Sequence, residues 1–182
     1  MIAPNENMPE SVILAKIREA AGKPTGELTK KDLEKVLSLQ LFAYDIIDLT
    51  PLIGLERLKW LYLSSNQLTD EQLKSLAGLK ELFSLHLSNN KFADISPLSE
   101  LTNLQELNLS GNTVSDLAPL AGLKQLEKLI LSFNQITDLT HLVGLTKLEE
   151  LLLFNNPALT NTQIVQLQEA LPRCEIKHDA SR

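Results

Sequence analysis

Three histidines (His86, His141 and His178) and one cysteine (Cys174) are the natural candidates for metal binding or nucleophilic chemistry in this chain. Zinc sites set Cys or His ligands a few residues apart in pairs. Here the two nearest histidines, His141 and His178, are 37 residues apart, and a lone cysteine can form neither an internal disulfide nor a Cys-based metal site. No nucleophile motif or glycine-rich phosphate loop is present, and Gly54, Gly78, Gly122 and Gly144 recur at a regular place instead. His86 and Glu106 fall at nearby positions of successive repeating segments, but such stacking brings acid and base together by chance. The expectation is a chain with no catalytic residues, metal or cofactor, in which Cys174 serves as a small buried hydrophobe.

The elements that carry these residues repeat. Leu58-Lys59-Trp60-Leu61-Tyr62-Leu63-Ser64-Ser65-Asn66 has the skeleton L-x-x-L-x-L-x-x-N, which returns at Leu82–Asn90, Leu104–Asn112, Leu126–Asn134 and Leu148–Asn156. The closing asparagines stand 24, 22, 22 and 22 residues apart. Self-similarity at this period marks a solenoid of leucine-rich repeats. In L-x-L the side chains of an extended strand alternate between faces, so both leucines point inward and the residues between them outward. Asn66, Asn90, Asn112, Asn134 and Asn156 are read as a structural ladder, because an amide both donates and accepts and can satisfy turn backbone from coil to coil. The segments Asp48–Leu52, Asp94–Leu98 and Asp116–Leu120 share Asp-x-x-Pro-Leu, which predicts short 3₁₀ turns on the outer side.

The predicted organisation is a flexible lead and helical cap over 1–37, six repeat coils over 38–156, and a closing cap helix, last strand and tail over 157–182. A helix is expected from Pro9 to Ala21, with Ile13, Ile17, Ala20 and Ala21 apolar. A second, capped by Thr29 and Asp32, should turn Leu33, Val36 and Leu37 inward. The first strand is read as Leu39–Leu41, and Tyr44 stands where its asparagine would be. Thr69 with Gln72 predicts an α-helix of about two turns in the longer coil, Thr160 with Gln163 opens the closing helix, and the frayed tail starts at residue 177.

The Ile17–Pro24 and Leu28–Leu33 segments, followed by N-Q-[IL]-T-D and D-[IL]-x-P-L repeats, resemble the internalin-type leucine-rich repeat proteins of bacteria. The short repeats are also similar to those of the leucine-rich regulatory subunit of protein phosphatase 1. The resemblance implies an α/β fold: a right-handed horseshoe with a parallel sheet on its concave face, mostly 3₁₀ turns and a few α-helices on the convex face, and a helical N-terminal cap. It also implies that the concave face grips another protein. Internalins commonly add a secretion signal, an immunoglobulin-like domain and a wall-anchoring segment.

On that geometry the displayed residues include Phe42, Trp60 and Tyr62 near the amino end and Ile130, Leu152 and Phe154 near the carboxyl end. His86, Glu106, Asn108 and Lys128 lie between, and these ten are the expected partner-contact residues. Ser84 and Ser132 are expected on the same face. The framework requires no aromatic at 60 or 62, so those rings bind a partner, pack on the amino cap, or lie on the surface without a role. The expected partner is a protein bound by a monomer. The alternative is a structural spacer or self-associating repeat domain of a larger surface or secreted protein.

Bulk properties narrow the classes further. The chain has 182 residues, 43% hydrophobic and only 4% aromatic, which suits one domain with an aliphatic core. A formal charge of −6 argues against nucleic acid and anionic membranes, where lysine and arginine neutralise phosphates. No apolar run suggests a signal core or a membrane span. A cytoplasmic site is expected if the chain is complete, and a secreted or cell-surface one if a signal has been removed. The Asn108-Leu109-Ser110 sequon is read as coincidence within a strand.

Overall fold

A computed structural model describes residues 11–180. Seven three-residue strands pair in parallel and in sequence order: β1 Ser38–Gln40, β2 Trp60–Tyr62, β3 Ser84–His86, β4 Glu106–Asn108, β5 Lys128–Ile130, β6 Glu150–Leu152 and β7 Glu175–Lys177. Register is constant, with Leu39, Leu61, Leu85, Leu107, Leu129, Leu151 and Ile176 aligned across the sheet. The fifteen leucines of the L-x-x-L-x-L skeletons are all buried, none more than 2% exposed. At ~1.5–3 kcal/mol per buried leucine, they are the main source of cohesion. One continuous cluster runs from Ile13 to Cys174, so no coil holds a core of its own.

The polar counterpart of those columns lies at the turn after each strand. Asn112 Nδ2 donates to Leu109 O in its own coil at 2.9 Å and to Leu87 O in the preceding coil at 3.1 Å. Its Oδ1 accepts from Phe92 N at 3.1 Å. Asn66, Asn90, Asn134 and Asn156 make the same backward bonds. The backward direction gives a physical reason for the first coil to lack the residue. Tyr44 and Ile46 offer their N–H groups to Asn66, and an asparagine at 44 would have no earlier coil to serve.

The outer side is built from 3₁₀ turns at Thr50–Leu52, Ser96–Leu98, Ala118–Leu120 and Thr140–Leu142. In each, the Asp two residues earlier accepts the N–H of the turn's first residue at 2.8 Å. The Thr50 hydroxyl and then this N–H hold the Asp48 carboxyl below its usual range, and for Asp94 and Asp138 the N–H comes first and the Ser96 or Thr140 hydroxyl second. The longer second coil carries α3, Asp70–Leu73, with the Thr69–Gln72 capping box. Only one α turn forms there, where two were expected. The chain tightens into a 3₁₀ turn at Lys74–Leu76, gaining more length per residue before the next strand.

The caps differ in detail from expectation. Pro9 and Glu10 lie outside the described residues, and α1 runs Val12–Ala21 with Ser11 as its N-cap and Gly22 in the left-handed region. α1 packs on β1 through the single ridge Ile13, Ile17 and Ala21, which leaves Ala20 exposed. α2, Lys30–Leu33, has the Thr29–Asp32 capping box. Val36 is buried, but Leu37 faces out, because its carbonyl is taken by Lys59 N and Trp60 N at the strand entry. α4, Asn161–Ala170, closes the far end. Backbone pairing extends past the expected tail start: Lys177 O accepts from Leu153 N, and the Asp179 carboxylate accepts from Asn155 N. Cys174 is 4% exposed, and burial pushes its thiol up to about 11.

Two outcomes follow. Asn112→Leu should cost ~2 kcal/mol or more, because it strands buried backbone groups of two coils, measured by denaturant melting. Cys174 should react with a thiol reagent only as the chain unfolds, so fast labelling of the native protein would contradict its placement.

Candidate functional site

The sheet presents its outward residues in rows that cross the coils. One row reads Ser38, Trp60, Ser84, Glu106, Lys128, Glu150 and Glu175; the next reads Gln40, Tyr62, His86, Asn108, Ile130, Leu152 and Lys177. Phe42 and Phe154 lie one alternation further along β1 and β6. The ten expected contact residues therefore lie on one face. They do not form one cluster. The Trp60 ring pairs with Phe83, centroids 6.3 Å apart and planes tilted 53°. Tyr62 lies on His86 at 4.8 Å and 35°. Both ring partners belong to the next coil, and Trp60 is 37% exposed and Phe42 56%.

Burial redraws part of the face. Ser84 and Ser132, expected to be displayed, are buried. Ser84 sits between larger neighbours and donates to Glu106 Oε2 at 2.9 Å. The carboxyl half is laced by ion pairs: Lys128–Glu150 at 2.6 Å, Lys177–Glu150 at 3.1 Å and Lys177–Glu175 at 3.3 Å. Lys128 first, then Lys177, lowers the Glu150 carboxyl. In the amino half the aromatic pairs dominate.

Two displayed rings escaped the sequence reading. Phe83 lies just before β3, where its N–H meets Lys59 O, at a position taken to lie outside the displayed rows. Phe133 follows Ser132, where other coils carry Ser65, Asn89, Gly111 and Asn155. An aromatic among such small or polar residues was the available signal. Among the described residues, no group of three or more His, Cys, Asp or Glu could hold a metal ion, and no helix is long and apolar enough to cross a membrane.

With stacking and register established, comparison with known proteins names the fold. Family models described as "Leucine rich repeat" and "Leucine Rich repeats (2 copies)" match residues 45–92 and residues 80–122 and 124–169. The chain belongs to the leucine-rich repeat family. Internalin C2 of Listeria monocytogenes superposes with a TM-score of 0.75 at 28% identity, covering 92% of this chain and 84% of that one. A leucine-rich repeat protein of Leptospira interrogans gives 0.72 at 31% identity, covering 80% of this chain and 38% of its own. The functional domain of InlJ from Listeria monocytogenes, which includes a cysteine ladder, gives 0.78 at 21% identity over 93% and 36%. That last likeness shows the fold alone; here the ladder is of asparagine. No curated protein sequence matches significantly. Leucine-rich repeats commonly mediate protein–protein interaction, and such solenoids offer extended concave surfaces for it.

His86 gives this face a measurable pH signature. Burial lowers its pKa from 6.5; Glu106 opposes that shift and Lys128 adds to it. The unfolded chain then takes up this proton first as pH falls through about 6.5, so stability declines on acidification across that window. His86→Gln should flatten the decline in Tm between about pH 7 and 5. An imidazole midpoint above 6.5 by NMR would show Glu106 outweighing burial.

Proposed function

We propose that this leucine-rich repeat chain is a non-catalytic module that binds a protein partner on its concave sheet face. One observation carries the reading: large aromatic side chains stand on a face whose framework needs none of them. The columns that hold the coils together are the leucines and asparagines. Phe42, Trp60 and Tyr62 contribute nothing to either, and Trp60 and Tyr62 touch other surface rings instead of the interior. Exposed aromatics set among polar neighbours are the usual energetic centres of protein interfaces. His86, Glu106, Asn108 and Lys128 supply polar contacts along the strip, and Ile130, Leu152 and Phe154 continue the apolar surface toward the carboxyl end. The net charge of −6 opposes phosphate-rich partners.

A pull-down from source-cell lysate and from host extract tests this with wild type and a Trp60→Ala/Tyr62→Ala variant. Capture of a defined protein should disappear in the double variant. The Trp60–Phe83 pairing sets the expected stability cost of Trp60→Ala at about 0.5–1.5 kcal/mol. Capture unchanged by the double variant would remove the aromatic face as the binding surface. Size-exclusion chromatography of both proteins separates partner binding from self-association, which would show as a dimer split by the substitutions.

A further inference from the structure

The sheet ends differently on its two sides. On the amino side α1 packs against β1. On the carboxyl side β7 is the last strand, and among the described residues no strand pairs with its outer edge. Glu175 N–H donates to Glu149 O at 2.7 Å, and Lys177 O accepts from Leu153 N at 2.8 Å, so both residues turn their backbone toward β6. Alternation then turns the N–H and C=O of Ile176 outward, and neither enters a hydrogen bond among the described residues.

The core is open at the same place. The leucines that align with Ile176 in β1 to β6 are at most 2% exposed, whereas Ile176 packs on the cluster and stays only partly buried. Gln168 Nε2 donates to Cys174 O at 3.0 Å, which sets that side of α4 beside the start of β7. Val165, 50% exposed, lies one turn earlier on the same side of the helix.

An unpaired edge invites a further strand, and the residues on this one select it. Antiparallel pairing of two β7 strands about Ile176 sets the Ile176 N–H of each copy against the Ile176 C=O of the other. It also sets each Glu175 directly across from Lys177 of the other copy, with these side chains on the concave side. Within one copy Lys177 already reaches Glu175 at 3.3 Å, so the two charges lie close enough to serve a facing strand as well. A head-to-tail stack, by contrast, would have to displace α1 from β1. Glu-Ile-Lys is self-complementary in the two-fold arrangement, which closes at two copies.

We infer that β7 is a docking edge for a second copy of this chain, paired antiparallel about Ile176 into a two-fold dimer. The axis stands perpendicular to the sheet, so both concave faces point to the same side and keep their rings free. This dimer replaces the monomer expected from the sequence and does not depend on the partner proposed above. It would present two ring patches together, a bivalent surface.

Sedimentation velocity of the full chain tests the dimer with the single variants Glu175→Lys and Lys177→Glu. Wild type should dimerise as its concentration rises to about 1 mM. Each single variant sets like charges across the edge and should associate about tenfold more weakly. An equal mixture of the two should recover wild-type association, because every facing pair again joins opposite charges. Glu175→Lys/Lys177→Glu keeps a lysine beside Glu150 and should dimerise like wild type, which decides the matter if a single variant melts low. Hydrogen exchange of the Ile176 amide needs no substitution: it should be fast in dilute wild type and slow as the dimer forms. Wild type monomeric throughout, single variants that associate undiminished, or a mixture or double variant that stays monomeric would each overturn the inference. So would an Ile176 amide protected while the chain is still monomeric. A dimer split by Trp60→Ala/Tyr62→Ala would move self-association to the concave face and overturn it too. Partner capture lost in that variant with the dimer intact would uphold both readings, and capture unchanged with the dimer intact would sink only the concave-face one.

Discussion

The backward hydrogen bond of an asparagine amide, from each coil to the one before it, is the constraint on which the molecule depends. Leucine burial supplies most of the free energy but is indifferent to direction and tolerant of small slips. The amide is neither. Asn90 takes the Leu63 carbonyl of the previous coil and the Leu87 carbonyl of its own, and its Oδ1 receives Leu68 N–H. Each such set fixes the distance and phase between neighbouring turns of chain. The sheet register follows, and with it the rows of outward side chains that make up the displayed face.

Because that register never varies, the face is a grid whose composition changes from one end to the other. The amino half offers rings that pair with each other, Trp60 with Phe83 and Tyr62 with His86. The carboxyl half offers aliphatic side chains and a line of charges, several of them already paired. The outer side has different chemistry: short 3₁₀ turns, four of them capped by an aspartate, occupy little width and keep successive coils close. Display on one face and economy on the other follow from the same repeat.

What could be read from the chain divides along the same line. The leucine columns, the asparagines, the capping boxes at Thr29, Thr69 and Thr160 and the Asp-x-x-Pro turns were legible, because each depends on residues within one repeat. Properties set by neighbours in another coil were not. Ser84 and Ser132 alternate outward as the pattern requires, yet are buried among the coils on either side. Ala20 obeys helical periodicity, but α1 rests on a narrower ridge than that periodicity allows. Leu37 has the hydrophobicity of a core residue and the backbone role of a strand entry. The rings of Phe83 and Phe133 sit just outside the strand alternation, where simple in-and-out counting gives no direction.

The 22-residue interval also has a consequence for how such a chain changes over generations. Every internal coil meets its neighbours through the same columns and the same amide, so a duplicated or deleted whole unit leaves both junctions chemically unaltered. Reach can therefore grow or shrink in quanta, each adding one strand's width of new surface, while a gain of two or three residues must be absorbed locally, as the helical turn at Asp70–Leu73 does. Length is the freely evolvable variable in this architecture, and phase is the one held fixed.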